Sequence, residues 1–105
     1  MNSAKIRELN DQARQTLSGC RVMVTQGIQQ LDQLDAILTA VRQFRDFSSS
    51  NDPYSEHDLG KIELFGEAVF WKFDYYDLAL EYGSEDPSDP AVTCRVLTIM
   101  LASEY

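Results

Sequence analysis

The sequence has little of what usually identifies an enzyme, a membrane protein or a secreted protein. Its 105 residues include one histidine and two cysteines, Cys20 and Cys94, which form no CxxC pair. It contains no glycine-rich phosphate loop, no GxSxG elbow and no HExxH motif. No apolar run approaches the roughly 20 residues of a membrane helix, and the N-terminus lacks the apolar centre of a secretory signal. These absences favour a cytoplasmic protein with free thiols.

Positive charge is also scarce, and the shortage is concentrated in one part of the chain. Nine Lys and Arg stand against 17 Asp and Glu, a net charge of −8. Residues 46–90 alone hold 12 acids and two bases, a net charge of −10. Such an uneven charge distribution affects the solubility of the protein and its association with partners, and it does not determine the fold. Because carboxylates repel phosphates, it argues against direct binding of nucleic acid.

The remaining composition is that of a soluble globular domain. Hydrophobic residues make up 44% of the chain and charged residues 25%. At this length the sequence predicts a single domain over residues 1–105.

The N-terminal half predicts two helices and a strand. An apolar stripe at helical spacing, with Ser3 as N-cap and Gly19 near its end, predicts the first helix. Residues 20–25 are rich in β-branched side chains and predict a strand closed by Gly27. Asp32 is placed as the N-cap of the second helix, with Asp35 in its first turn. The serine-rich segment 48–53 ends that helix.

The C-terminal half predicts a β-hairpin and a last helix. Segments 61–65 and 68–74 flank Gly66-Glu67, which is typical of a hairpin. The stretch 76–82 is ambiguous, with one helical turn as an interpretation. Asp89 followed by Pro90 favours a helix start, and the apolar segment 92–101 is interpreted as a deeply buried helix.

We therefore predict an α+β fold in the order α-β-α-β-β-α. The sheet is expected to be small and antiparallel, with the hairpin 61–74 at its centre and helices on one face. In the second hairpin strand, Val69, Trp71, Phe73 and Tyr75 should share the core face. The predicted core residues are Leu34, Ile37, Leu38, Val41, Ile62, Leu64, Val69, Trp71, Val96 and Ile99.

One polar loop carries the residue types of an acid–base or metal site. The segment NDPYSEHDLG places the single histidine, His57, beside Asp52, Glu56 and Asp58. It does not fit the spacing of an EF-hand, and zinc would need further His or Cys ligands. Local hydrogen bonds of the loop are the favoured interpretation. A small metal-binding protein or hydrolase using residues 51–60 is the alternative function, and no cofactor or metal is predicted.

The thiols and the aromatic residues were weighed as further candidates. A cysteine nucleophile paired with His57 is disfavoured, because Cys20 and Cys94 both lie in apolar segments. Aromatic residues crowd the stretch 70–82, but their charged neighbours are acids rather than bases. Core packing with a tyrosine rim is favoured there, and a protein-contact surface is the alternative.

Three segments, NDPYSEHDLG, FWKFDYYD and YGSEDPSDPAVTCRVLTIMLASEY, resemble a small bacterial family classified as domain of unknown function 3768. The resemblance spans nearly the whole chain, from about residue 6 to residue 105. It implies a small bacterial protein associated with plasmids or other mobile elements. It implies no activity, cofactor or site residue.

The charge distribution favours a non-enzymatic inhibitor or regulator that binds another protein through an acidic side. One form is a nucleic-acid mimic of the anti-CRISPR or anti-restriction kind, because alternate strand carboxylates stand about 6.5–7 Å apart, near the phosphate spacing of DNA. The expected partner is a basic protein surface, such as that of a nucleic-acid-binding protein, and a homodimer stays open. Acidity for solubility alone is the simpler alternative. The candidate partner-binding residues are Asp52, Glu56, Asp58, Asp74, Asp77, Glu81, Glu85, Asp86 and Asp89.

Overall fold

A four-stranded sheet with helices on one face forms the frame of the protein, in a computed structural model that describes residues 2–105. The α+β class is confirmed. The elements in chain order are α1 (Ser3–Thr16), β1 (Arg21–Val24), α2 (Gln26–Gln30), α3 (Leu34–Arg42), β2 (Leu59–Leu64), β3 (Glu67–Tyr76), β4 (Cys94–Leu101) and a 3-10 turn at Ala102–Glu104.

The sheet is mixed, so the prediction of a purely antiparallel sheet was wrong. Its strand order is β1-β4-β3-β2, and β1 pairs with β4 in parallel while the other two pairs are antiparallel. Parallel neighbours need a long crossover, and here the whole chain between β1 and β4 supplies it. The hairpin is therefore not central as a unit, because β3 is an inner strand and β2 is an edge.

The predicted last helix is the strand β4. Asp89 and Pro90 start no helix; the Asp89 carboxylate accepts the N–H of Ala91 within a tight turn. Strand β4 lies between β1 and β3, and its inward and outward residues are both largely buried, as at Val96, Leu97 and Ile99. A strand buried on both faces has a continuous apolar run, which periodicity alone does not distinguish from a buried helix.

The hairpin is confirmed, with its turn one residue earlier than expected. Phe65 and Gly66 both have positive φ, 54° and 75°, and they connect β2 to β3 directly. Two such residues in succession are characteristic of a type I′ turn, whose twist matches that of the flanking strands. The stretch 76–82, interpreted as one helical turn, is instead the last residue of β3, Tyr76, followed by an irregular loop over 77–82.

Several predicted element ends in the N-terminal half also move. The N-cap of α1 is Asn2, whose Oδ1 accepts the N–H of Lys5 at 3.0 Å, rather than Ser3. Gly27 lies inside the short helix α2, which the sequence pattern did not predict. Asp32 has φ 53° and joins α2 to α3, while Gln33 is the N-cap of α3.

The core lies between the helices and one face of the sheet. Trp71 is fully buried at its centre, and Val69 and Phe73 flank it on β3, which confirms the predicted face of this strand. The predicted core residues Ile37, Val41, Val69, Trp71, Val96 and Ile99 are buried, and Leu38, Ile62 and Leu64 pack partly buried against the core. Leu34 is wrong as a core residue, since it starts α3 and is 38% exposed.

Candidate functional site

Two fully buried polar side chains on α1 organise one end of the molecule. Asn10 and Arg14 follow Ile6 at intervals of four residues, so all three lie on the helix face that packs against the sheet. Polar groups buried at such positions are stable only when they have hydrogen-bond partners. Most partners of Asn10 and Arg14 belong to distant parts of the chain: the end of α3 for Arg14, and the loop before β2 together with β3 and β4 for Asn10.

Arg14 anchors the end of α3. Its Nη1 donates to the carbonyl oxygens of Val41 and Phe44, both at 3.0 Å, and its guanidinium lies 5.1 Å from the centre of the Trp71 ring. The Val41 carbonyl oxygen, in the last turn of α3, also accepts the Phe44 N–H at 3.3 Å, and a cation near a helix C-terminus is electrostatically favourable. Arg14 Nη2 also donates to Asp11 Oδ1 at 3.1 Å.

Asp11 continues this network to the single histidine. Its Oδ1 lies 2.8 Å from His57 Nδ1, while His57 Nε2 lies 3.4 Å from Asp52 Oδ2. The imidazole stacks on Phe47 with ring centres 3.7 Å apart. Since each ring nitrogen faces a carboxylate, neither can accept a proton from a substrate without giving up a contact. The geometry favours a clamp that holds the loop 52–58 against α1.

Asn10 holds two loops at once. Its Nδ2 donates to the carbonyl oxygen of Glu56 at 3.0 Å and to the Tyr75 hydroxyl at 2.8 Å, and its Oδ1 accepts Arg95 Nε at 2.7 Å. Arg95 in turn donates to the carbonyl oxygen of Pro87. Burial raises the pKa of Tyr75 to about 12. The loops 52–58 and 83–93 are therefore both fixed to α1 by buried hydrogen bonds.

The acidic residues gather at this end of the sheet, which we call the acidic end (segments 52–58 and 74–93). The strand pairing explains this location, because β2 begins, β3 ends and β4 begins at the same end of the sheet. The two segments contain no Lys or Arg. All nine predicted partner-binding carboxylates lie within them: Asp52, Glu56, Asp58, Asp74, Asp77, Glu81, Glu85, Asp86 and Asp89.

These carboxylates differ in how much they contact solvent. Glu81, Glu85 and Asp86 are exposed, whereas Asp52 is buried against His57 and is not available to a partner. Burial and neighbouring carboxylates raise the pKa values of Glu56 and Asp58. Asp74 is the only one of the nine within a strand, and it pairs with Lys72 at 3.1 Å.

An ordered loop over residues 77–82 carries exposed apolar side chains at the acidic end. An isolated bridge between Tyr76 and Gly83 closes its base, and the Asp77 N–H donates to the Tyr82 carbonyl oxygen at 2.8 Å. Leu78 is 66% exposed and Tyr82 is 73% exposed. The exposure of Tyr82 agrees with the predicted tyrosine rim, whereas the exposure of Leu78 and the roles of Asn10, Asp11 and Arg14 were not predicted. For Asn10 and Arg14 the available signal was a polar residue within the apolar stripe of α1.

The other chemical candidates are weaker in the structure. Cys20 and Cys94 are free and half-buried, and burial raises the pKa of the Cys20 thiol, which disfavours the reactive thiolate. Within residues 2–105 no group of three or more His, Cys, Asp or Glu could hold a metal ion. In the same part of the chain, no helix has the length and apolarity needed to cross a membrane.

Comparison with known proteins gives a family but no activity. A family described as a protein of unknown function (DUF3768) matches residues 24–104, from the end of β1 through the 3-10 turn. Helix α1 lies outside the matched range. No curated protein and no solved structure matches the chain.

Proposed function

We propose, for a chain that belongs to the DUF3768 family of proteins of unknown function, that the acidic end binds a basic surface of another protein. The observation that carries the proposal is that exposed carboxylates lie beside the exposed side chains of Leu78 and Tyr82. Acidity for solubility alone explains the carboxylates but not apolar side chains held beside them. Exposed apolar groups within a charged rim are characteristic of protein-contact sites.

Two kinds of side chain would divide the work of binding. Glu81 and Glu85 are exposed and lack a basic neighbour within the acidic end, so their field would steer a positively charged partner toward the surface. Leu78 and Tyr82 would then bury apolar area against it. Because hydrogen bonds already order the loop 77–82, little conformational entropy is lost on binding.

Such a protein would regulate or inhibit its partner by occupying a basic site. Mimicry of nucleic acid is the narrower form of the proposal. The carboxylates come mainly from loops, so the regular spacing of one strand does not set their positions. The narrower form therefore rests on the local density of negative charge.

The test compares variants of exposed carboxylates in a purified complex. The full chain is used to capture partners, and each purified pair is measured by surface plasmon resonance at about 0.05 and about 0.3 M salt. We expect Glu81→Gln/Glu85→Gln to slow association about tenfold at low salt with little change in melting temperature. Asp32→Asn/Asp35→Asn, which neutralises two exposed acids next to α3, is the matched control and should leave the rate unchanged.

Three outcomes decide between the versions of the proposal. An association rate that responds neither to salt nor to the Glu81/Glu85 substitutions would contradict binding through the acidic end. Competition by duplex DNA or a guide RNA would support mimicry. A salt-dependent complex that is indifferent to nucleic acid would leave a protein-binding regulator without mimicry.

A further inference from the structure

The free edge of β2 leads to an inference independent of the acidic end. We propose that two copies of the chain associate through antiparallel pairing of β2 with β2, which joins their two sheets into one. The interface would consist of the strand Leu59–Leu64, the hairpin tip at Phe65, and the groove beside the strand. Backbone pairing, charge and shape each support the same register.

The backbone of β2 has an unused set of hydrogen-bonding groups. The Phe73 N–H donates to the Asp58 carbonyl oxygen at 2.8 Å, so Asp58 and Phe73 form a hydrogen-bonded pair. Bonded and non-bonded pairs alternate along an antiparallel ladder, so the even-numbered residues of β2 are the ones bonded to β3. The N–H and C=O groups of Leu59, Lys61 and Glu63 therefore point away from β3. Within residues 2–105 no hydrogen-bond partner meets these groups. An exposed edge of this kind is a template for another strand.

Charge selects a single register for a second copy. Because only odd-numbered residues present free groups, an antiparallel partner must place odd residues opposite odd residues. Pairing Lys61 with Lys61, or Glu63 with Glu63, puts like charges opposite each other and is unfavourable. The remaining register between these two places Ile62 opposite Ile62 on the two-fold axis. Lys61 of each copy then lies opposite Glu63 of the other. Both side chains lie on the same sheet face, where they already approach to 3.7 Å within one chain.

The same register gives the exposed hairpin tip a place to bind. It brings Phe65 of one copy opposite Leu59 of the other. The Phe65 side chain is 56% exposed. Leu59 lines a groove of about 570 Å³ along the edge of β2, together with Phe44, Pro53 and Phe70. In a two-fold symmetric dimer, the exposed Phe65 ring of each copy would thus lie in the apolar groove of the other copy.

The core-facing side of the pairing is complementary as well. Leu64 of one copy would lie opposite Gly60 of the other. Gly60 is where the buried Trp71 indole comes closest to the sheet edge, and a Cβ at this position would overlap the ring. The half-buried Leu64 side chain would therefore pack beside Gly60, which presents no side chain of its own, and bury its apolar surface there.

Antiparallel pairing also keeps the negative charges of the two copies apart. The acidic end lies where β2 begins, and the hairpin tip lies where it ends. In the proposed dimer each acidic end is next to the partner's hairpin tip. Both acidic ends stay open to solvent, so the dimer is compatible with either outcome for the proposed function.

The test measures the mass of the full chain against concentration by sedimentation velocity. We expect a dimer in the wild type, and a dissociation constant raised at least about tenfold by Lys61→Glu or by Glu63→Lys, since each puts like charges opposite each other. The double variant Lys61→Glu/Glu63→Lys restores opposite charges and should restore the dimer. Lys5→Glu, which reverses a partly exposed base on α1, is the control and should leave the dimer intact.

Amide hydrogen exchange supplies a second readout that does not depend on these variants. Protection of the Lys61 and Glu63 amides should rise with protein concentration, while the Ile62 and Leu64 amides, bonded to β3, should stay protected throughout. A wild type that stays monomeric would overturn the proposal and leave the edge to a strand of a different protein. A dimer that persists in both single variants would also overturn it, because the contact would then lie elsewhere.

Discussion

At the scale of single residues, Trp71 is the largest fully buried side chain within residues 2–105. It is fully buried, and it packs edge-to-face on Phe44 with ring centres 5.4 Å apart and under the guanidinium of Arg14. We expect Trp71→Ala to lower the free energy of unfolding by about 3–5 kcal/mol. Gly60→Ala should cost about 1–3 kcal/mol, because the new methyl group would overlap the indole. Urea unfolding measures both, and an unchanged midpoint for Trp71→Ala would contradict the burial.

The chemistry of the candidate site was predictable at some residues and not at others. The composition of segments 52–58 and 74–93 alone shows the carboxylates, and the sequence places His57 beside Asp52, Glu56 and Asp58. That Asp11 is one of those partners depends on how α1 lies against the loop, 46 residues away in sequence. The burial of Asp52 likewise depends on this contact, and the sequence pattern does not show it.

At the scale of elements, Glu104 joins the C-terminal turn to the start of α2. Its Oε1 accepts the Thr25 hydroxyl at 2.7 Å and the Leu101 N–H at 2.8 Å, and its Oε2 accepts the Gly27 N–H at 3.1 Å. Hydrogen bonds from Thr25 and from the Leu101 and Gly27 amides hold the pKa of Glu104 below its ordinary value. The contribution of Glu104 to stability is therefore present above the pKa it has in the unfolded chain, and is lost as the pH falls through its lower folded value.

We accordingly expect Glu104→Ala to lower the melting temperature at pH 7 and to have little effect at about pH 3. Glu104→Gln, which keeps one acceptor oxygen, should lie between Ala and wild type at pH 7. Thermal unfolding followed by circular dichroism measures both differences. An equal loss at the two pH values would show that the carboxylate charge is not what stabilises the turn.

Elements with a one-sided apolar pattern were predictable from sequence, and the element buried on both sides was not. Helices α1 and α3 and the hairpin have one polar face, so their periods of 3.6 and 2 are visible. Strand β4 has no exposed polar face, because residues on both of its faces are buried or half-buried. Its two edges are paired with β1 and β3. The turn residues Asp89 and Pro90 then favoured a helix start. Helix α2 has only five residues, too few for a periodic pattern.

At the scale of the whole molecule, folding converts a charge imbalance along the sequence into one in space. Within the chain that crosses from β1 to β4, the loop before β2 and the loop before β4 come to lie at the same end of the sheet. Buried contacts of Asn10 and Arg95 then hold both loops together in spite of their like charge. A local concentration of negative charge lowers the stability of the folded protein. This cost in stability arises mainly at the partly buried carboxylates Glu56 and Asp58.

That cost predicts how stability depends on pH. Burial and carboxylate neighbours raise the pKa values of Glu56 and Asp58, so the folded protein takes up these protons at a higher pH than the unfolded chain does. The free energy of unfolding should therefore increase as the pH falls from 7 through the raised values. Hydrogen bonds from Ser88 and from Thr25 lower the pKa values of Asp86 and Glu104, and their contributions are lost at still lower pH. Stability should therefore rise as the pH falls below neutrality and decline again only below the ordinary pKa values of Glu and Asp, 4.5 and 3.8.

Urea unfolding at constant ionic strength between about pH 3.5 and 8 would locate this maximum. In Asp58→Asn the group is neutral at every pH, so the increase between neutral and mildly acidic pH should shrink. Asp35→Asn, at an exposed position in the first turn of α3, should keep the wild-type increase. A free energy of unfolding that decreases steadily from pH 7 downward would mean that the acidic end carries its charge without strain. The repulsion between its carboxylates would then be relieved by solvent alone, and the acidic end would be less distinct from an ordinary acidic surface than the geometry indicates.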